Sequence, residues 1–189
     1  MTIFRYLAVV LTLISLSGCA GVFVAGAATT ATIITDTRST KEIWNDNNIE
    51  FEVAGLGNKA PFRGQLRITA SSHNGTVVLM GQAKTQSDLD AFIAEAKQLK
   101  GVTTLHNQVR INEPLSVTAI SNDSWITTKV KSALLTNTEL NGIKVKVITE
   151  DKEVFLLGYV SPQHADIATE VARNISGVKQ VIRAFQNVD

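Results

Sequence analysis

The sequence predicts an α+β protein in which one structural unit occurs twice. Each copy runs helix–strand–strand–helix–strand, with a small mixed three-stranded sheet packed on two helices. A Val-x-Leu-x-Gly motif at residues 77–81 recurs at 154–158, and a Gly-Val pair at 101–102 recurs at 177–178. An amphipathic stretch with apolar residues at helical spacing precedes each copy. These three observations predict two tandem domains of one fold.

The first copy carries clear turn and cap signals. Asn74-Gly75 predicts a hairpin turn, Thr85 is the expected N-cap of a helix, and Gly101 stops that helix. The expected elements are an opening helix over 49–56, strands over 66–72 and 77–81, a helix from Thr85, and a strand over 104–111. Gly55 and Gly57 weaken the opening helix, and residues 37–48, including Trp44, form a polar connection into it.

The second copy repeats this order. Its opening helix is expected to start near Ser124 with Asp123 as N-cap and Asn122 as competitor, and Pro162 occupies the first position of its second helix. The other expected elements are strands over 144–149 and 154–159, a turn over 150–152, a helix that ends before Gly177, and a strand over 180–187.

The middle strands, at 77–80 and 154–157, are apolar on both faces, whereas a sheet covered on one side alternates. Their second face therefore needs a cover. Either the two domains pack against each other or a protein partner covers it. The glycine of each Val-x-Leu-x-Gly motif indicates close approach of a helix or a bulge.

The N-terminus has the features of a secretory signal peptide over residues 1–18, with Arg5 before a short apolar core. The cleavage site ends in Cys19, and Leu16-Ser17-Gly18-Cys19 resembles the lipobox of bacterial lipoproteins. The resemblance implies acyl chains on Cys19. In such lipoproteins, Ala20 rather than aspartate after the cysteine favours the outer membrane.

Composition excludes several function classes. The chain has 18 Lys+Arg and 17 Asp+Glu, and loss of Arg5 with the signal peptide equalises them, so we expect no nucleic-acid partner. Cys19 is the only cysteine, so no disulfide forms once it is lipidated. The three histidines lack metal-ligand spacing, and no catalytic Ser-His-acid order is legible. We predict a protein with no metal, cofactor or enzymatic activity.

Lipobox, tandem Val-x-Leu-x-Gly strands and Gly-Val pairs together resemble the BON-domain outer-membrane lipoproteins of Gram-negative bacteria. Residues 35–39 and 122–130 have nearly the same amino acids as the corresponding segments of that family. The resemblance implies a non-enzymatic, lipid-anchored, periplasm-facing protein that binds anionic phospholipid such as phosphatidylglycerol and supports outer-membrane integrity. The implied division is a signal peptide over 1–18, a lipidated tether over 19–42, BON domains over 43–112 and 122–189, and a linker over 113–121.

The opening helix of the second copy is the predicted lipid site. Projected at 3.6 residues per turn, it turns two bulky apolar side chains away from the core, with lysines on either flank. Tryptophan and lysine together suit an anionic membrane interface. The predicted phospholipid-binding residues are Trp125, Thr128, Lys129, Lys131, Ser132 and Leu135.

The first copy carries Asn48, Glu52, Ala54 and Asn58 at the positions of Trp125, Lys129, Lys131 and Leu135. This asymmetry predicts that only the second copy binds lipid. Two alternatives stay open. Trp125 could fold back or pack against the first domain. The protein could also be an interaction adaptor for the envelope or outer-membrane assembly machinery, such as its assembly proteins, without direct lipid binding.

Overall fold

The computed structural model describes residues 38–141 and 143–187. The predicted α+β fold is confirmed: helix–strand–strand–helix–strand occurs twice, with two mixed three-stranded sheets. The signal peptide, Cys19 and most of the predicted tether lie outside the described residues.

The first repeat forms one sheet in the order β1-β2-β3, with β1 antiparallel and β3 parallel to the central β2. The hairpin makes β1 antiparallel to β2, and the second helix carries the chain back to the end of the sheet at which β2 begins, so β3 runs parallel to β2 on its other side. Its elements are α1 (Thr40–Gly57), β1 (Leu66–His73), β2 (Thr76–Ala83), α2 (Gln86–Ala96) and β3 (Thr104–Ile111).

The second repeat has the same topology, with β4 antiparallel and β6 parallel to the central β5. A short 3-10 helix follows its opening helix and was not predicted. Its elements are α3 (Val117–Thr136), the 3-10 helix (Thr138–Leu140), β4 (Lys146–Glu150), β5 (Glu153–Val160), α4 (Pro162–Arg173) and β6 (Gln180–Asn187).

Both opening helices start earlier than predicted. Helix α1 begins at Thr40 behind a capping box in which Ser39 accepts from Glu42 N and Glu42 accepts from Ser39 N, so residues 40–48 are helical rather than a connection. Helix α3 begins at Val117, capped by Ser116. Residues 117–121 of the predicted linker are therefore its first turns, and Gly55 and Gly57 do not shorten α1.

Each sheet buries one face against its own two helices. In the first repeat, Ile49 and Val53 of α1 and Phe92 of α2 pack on Val77 and Leu79 of β2. The corresponding core of the second repeat is formed by Ile126, Val130, Leu134, Leu140, Val147, Val154, Leu156, Ala168 and Ala172. Alternate residues of each central strand thus point at the helices.

The other residues of the central strands point at the other repeat. Met80 packs with Phe155 and Leu157 in a separate buried cluster, together with the partly buried Val78, Ile148, Ile182 and Ala184. The prediction that the two domains pack against each other is confirmed. The protein is therefore a four-layer arrangement, helix–sheet–sheet–helix, with α1 and α3 on opposite outer sides.

Polar pairs border this apolar contact. The buried Glu150 accepts from Arg67 and, at 2.7 Å, from Thr69 Oγ1. Arg110 donates to Glu153 at 3.1 Å, and the Lys146 ammonium lies 2.7 Å from a carboxylate oxygen of α1. Every one of these contacts joins the first repeat to the second, so they fix the register of one sheet on the other.

The glycine of the Val-x-Leu-x-Gly motif allows close approach of neighbouring sheet backbone rather than of a helix. Gly81 has φ +127°, and a Cβ there would lie 2.1 Å from the Arg67 carbonyl oxygen of β1. Gly158 is constrained in the same way by the Lys144 carbonyl oxygen, at 2.7 Å. The prediction of a close helix is wrong; the close contact is with the backbone of the adjacent strand at Gly81 and with the backbone just before the adjacent strand at Gly158.

Candidate functional site

Helix α3 is held against the second sheet by Ile126, Val130 and Leu134, all buried. Asp123 adds a polar anchor, since its buried carboxylate accepts from the backbone N–H groups of Asp151 at 2.8 Å and Lys152 at 2.9 Å. Asp123 is therefore not the helix N-cap predicted from sequence. It lies inside the helix and caps the β4–β5 turn.

The face of α3 opposite these anchors carries the predicted site residues. Trp125 is 64% exposed and Leu135 is 80% exposed, which confirms their outward direction. Trp125 does not fold back or pack against the first repeat. Val117, at the start of the helix, is 83% exposed on the same face. We call this face the α3 stripe and define it as Val117, Trp125, Thr128, Lys131, Ser132 and Leu135, all of which are exposed.

The two predicted lysines differ in their surroundings. Lys131 is exposed on the α3 stripe, whereas Lys129 is half-buried at its flank and donates to the Ser176 carbonyl oxygen after α4. The structure therefore brings five of the six predicted residues onto one surface and places Lys129 at the edge of it. The stripe carries no carboxylate, since the one acidic side chain of α3 is the buried Asp123.

Val117 is not among the predicted site residues, because the sequence predicts a linker over residues 113–121 and a helix only from near Ser124. The signal was Ser116, a serine immediately before a stretch that can be helical, which is a normal N-cap. The hydroxyl of Ser116 accepts from Ala119 N at 3.3 Å. Starting the helix there adds an exposed apolar residue to its outward face.

The first repeat also exposes apolar side chains on its opening helix. Trp44 is 64% exposed and Phe51 is 79% exposed, and Phe51 occupies the position of Thr128 in the second repeat. The predicted apolar asymmetry between the copies is therefore wrong. The electrostatic difference remains, because Glu52 and Ala54 are exposed where the second repeat has its two lysines.

Two further results concern the described part of the chain as a whole. Within residues 38–141 and 143–187, no three His, Cys, Asp or Glu side chains come together as a metal site would require. Over the same residues, every helix is too short or too polar to cross a bilayer.

Comparison with known proteins adds a match to one family model and similarity to three relatives. A model of the BON domain matches residues 45–113 and again 122–187. The chain is 38% identical over 177 residues to the outer membrane lipoprotein DolP of Haemophilus influenzae, covering 93% of this chain and 92% of that protein. It is 44% identical over 154 residues to a 21 kDa hemolysin of Actinobacillus pleuropneumoniae, covering 81% and 79%. It is 29% identical over 117 residues to the osmotically-inducible protein Y of Escherichia coli, covering 60% and 58%.

Proposed function

This chain belongs to the family of outer membrane lipoproteins with two BON domains, and from that premise we propose that it binds anionic phospholipid through the α3 stripe. In this proposal the protein is anchored in the outer membrane, faces the periplasm and supports membrane integrity. The function requires no catalytic group, cofactor or nucleic acid.

The proposed anchor is Cys19, which lies outside the described residues. Its support is the lipobox sequence and the name of the Haemophilus relative, a lipoprotein. Each acyl methylene buried in a bilayer contributes about 0.8 kcal/mol, so two or more chains hold a protein at the membrane. The α3 stripe would then act on a membrane to which the protein is already attached.

The observation that carries the proposal is the direction of the exposed apolar residues of α3. Val117 and Leu135 are 18 residues apart, which is five full turns, so they point the same way about 27 Å apart. Trp125 lies between them on the same side. A helix lying flat on a membrane needs this arrangement, with apolar side chains in the interface and the tryptophan ring at headgroup depth.

Charge supports the choice of anionic headgroups. A lysine close to an anionic surface contributes about 1 kcal/mol, and Lys131 is exposed beside the apolar residues. Lys129 adds a second positive charge at the flank. In the first repeat the same positions carry a neutral and an acidic side chain, Ala54 and Glu52, which would weaken attraction to such a surface.

The test is binding to vesicles by unacylated protein, made by replacing the signal peptide and Cys19, since residues 33–189 form one compact unit. We expect binding to phosphatidylglycerol vesicles that exceeds binding to phosphatidylcholine vesicles and falls with salt. Trp125→Glu and Leu135→Glu should each weaken binding by about tenfold or more, because each removes about 1.5–3 kcal/mol of apolar transfer and adds a repelled charge.

Matched controls come from the other side of the molecule. Trp44→Glu and Asn58→Glu introduce the same charge on α1 and at its C-cap, and Asn58 occupies the position of Leu135. These variants should bind as the parent protein does. Unchanged affinity for phosphatidylglycerol in both α3 variants, with the helices intact by circular dichroism, would contradict the proposal.

A further inference from the structure

The outward face of α1 is a second apolar surface that the lipid-binding proposal does not use. Trp44 and Phe51 are seven residues apart, about two turns, so they lie on one side of the helix with Asn47 and Asn48 between them. Both aromatic side chains are well exposed, at 64% and 79%. We call Lys41, Trp44, Asn47, Asn48, Phe51 and Glu52 the α1 face.

The α1 face points away from the α3 stripe. The two sheets pack on each other, so α1 and α3 form opposite outer layers, and each of these surfaces lies opposite its own helix's buried residues. When the α3 stripe contacts a flat bilayer, Trp44 and Phe51 are therefore directed away from it. The occupant that suits such a surface is protein rather than the same membrane.

We infer that the α1 face binds a second copy of this chain, with the two α1 helices antiparallel about a two-fold axis between Asn47 and Asn48. That axis lies midway between the two aromatic residues. It therefore sets Trp44 of each copy against Phe51 of the other. An isologous contact of this kind needs one surface that is complementary to itself.

The charges on the α1 face meet that requirement. At about 100° per residue, Lys41 and Glu52 lie about 60° and 80° from Trp44 in the same rotational direction, so the two-fold axis leaves them on the same side of the pair. Lys41 precedes the axis by 6.5 residues and Glu52 follows it by 4.5, a difference of about 3 Å along the helix. Each Lys41 thus faces the second copy's Glu52, and the pair forms twice.

Both charges are available for this contact. Lys41 and Glu52 are exposed, and within the part of the chain that the structure describes neither has an ion-pair partner. The other carboxylates of α1 are already engaged: Asp46 with Arg38, Glu50 with Lys146, and Glu42 with its cap residue.

The contact is expected to depend on confinement at the membrane. A single helix pair buries less than the roughly 1,200 Å² of a stable interface, so association in dilute solution is weak. Acyl anchoring would hold copies at one membrane, which raises their effective concentration. Because α1 and α3 face opposite ways, two copies paired through α1 cannot both lay their α3 stripes on that flat bilayer, so the pair forms between copies whose α3 stripes are off it. The inference rests on the proposed acyl anchor but not on lipid binding by α3, and it survives if α3 does not bind lipid.

The test uses the full acylated protein in phosphatidylethanolamine–phosphatidylglycerol vesicles. Asn48→Cys places a thiol beside its symmetry mate, and Cys19, the only native cysteine, is consumed by acylation. We expect a disulfide-linked dimer on mild oxidation, and at most a tenth of that yield from Thr128→Cys on the α3 stripe. Adding Trp44→Asp to Asn48→Cys should lower the dimer yield by about tenfold.

A charge exchange then tests the geometry. In the Asn48→Cys background, Lys41→Glu or Glu52→Lys should each reduce the cross-linked fraction severalfold, and the two together should restore it. Failure of the double variant to recover, or equal yields from Asn48→Cys and Thr128→Cys, overturns the inference. Loss of vesicle binding by the unacylated Trp44→Asp protein, without any change in cross-linking of the acylated one, would overturn the inference and assign the α1 face to lipid instead.

Discussion

Asp46 is the polar side chain whose loss should destabilise the first repeat most. Its buried carboxylate accepts from Asn74 N at 2.9 Å, Gly75 N at 3.0 Å, Ser72 Oγ at 2.7 Å and Arg38 at 2.7 Å. Burial alone would raise the pKa of Asp46, but these hydrogen bonds outweigh it and lower the pKa. The carboxylate thereby fixes helix α1 to the β1–β2 turn.

The cost of Asp46→Ala follows from the groups it leaves behind. The Asn74 and Gly75 N–H groups lose their acceptor, and the Ser72 hydroxyl in the same buried region loses its partner. Asn74 is exposed, so water can replace the acceptor there, whereas Gly75 and Ser72 are buried. Each of these two unsatisfied buried groups costs about 1–3 kcal/mol, so we expect a loss of about 4 kcal/mol. That is a large share of the roughly 5–15 kcal/mol of a typical domain.

Urea unfolding of the unacylated protein at neutral pH measures this loss. Asp123→Ala is the matched control in the second repeat, where the carboxylate bonds two backbone N–H groups without an arginine or serine partner, so its loss should be about half as large. Asp46→Asn keeps one acceptor oxygen and should fall between parent and alanine variant. A loss below about 1 kcal/mol for Asp46→Ala would refute this reasoning.

Three further predictions follow from the same structure. The pKa of Asp46 is lowered in the folded protein, so its carboxylate should contribute its full stabilisation of the fold above the unfolded pKa of about 3.9. This contribution should be lost as pH falls through the folded pKa, and Asp46→Asn should flatten the dependence of stability on pH in this range, as measured by acid unfolding. Gly81→Ala should prevent folding or destabilise by several kcal/mol because its Cβ would meet the Arg67 carbonyl, whereas Gly55→Ala, which meets nothing within 4 Å in α1, should raise the melting temperature. Phe155→Ala should cost about 3–5 kcal/mol and make the two repeats melt separately by calorimetry; one unchanged transition would contradict the proposed role of the sheet contact.

The strands were predictable because local signals and burial agree there. Residues 104–111 and 180–187 were predicted with the bounds observed, since each segment follows closely on a glycine that marks the end of the preceding helix, Gly101 or Gly177. The sheet–sheet contact was also predictable, because strands such as 77–80 are apolar on both faces and such a sheet needs cover on each side.

The helix starts were not predictable from the same signals. Asp123 has the residue type and place of an N-cap, but it is used in tertiary structure, as the acceptor for the β4–β5 turn. Asp46 does the same in the first repeat, and the polar run around it concealed helical residues. A carboxylate that bonds backbone groups 28 residues away leaves no local trace of that role in the sequence.

For the candidate site, the outward direction of Trp125 and Leu135 followed from helical projection alone. The same projection places Phe51 opposite Ile49 and Val53 on α1. Phe51 matches the polar Thr128 of the second repeat, so the apolar residues of the predicted site do not point to it. Val117 required the true helix start. The direction of a side chain could thus be predicted from sequence only where the helix containing it was predicted.

Burial of Met80 against Phe155 also limits how this architecture can diversify. Each sheet buries one face of the other sheet, so mutations in the central strands must keep both faces apolar. New binding specificities are therefore more easily acquired on the outer helices. A single repeat on its own would expose the apolar sheet face that the other repeat buries here. Such a protein would need another partner on that face to avoid aggregation.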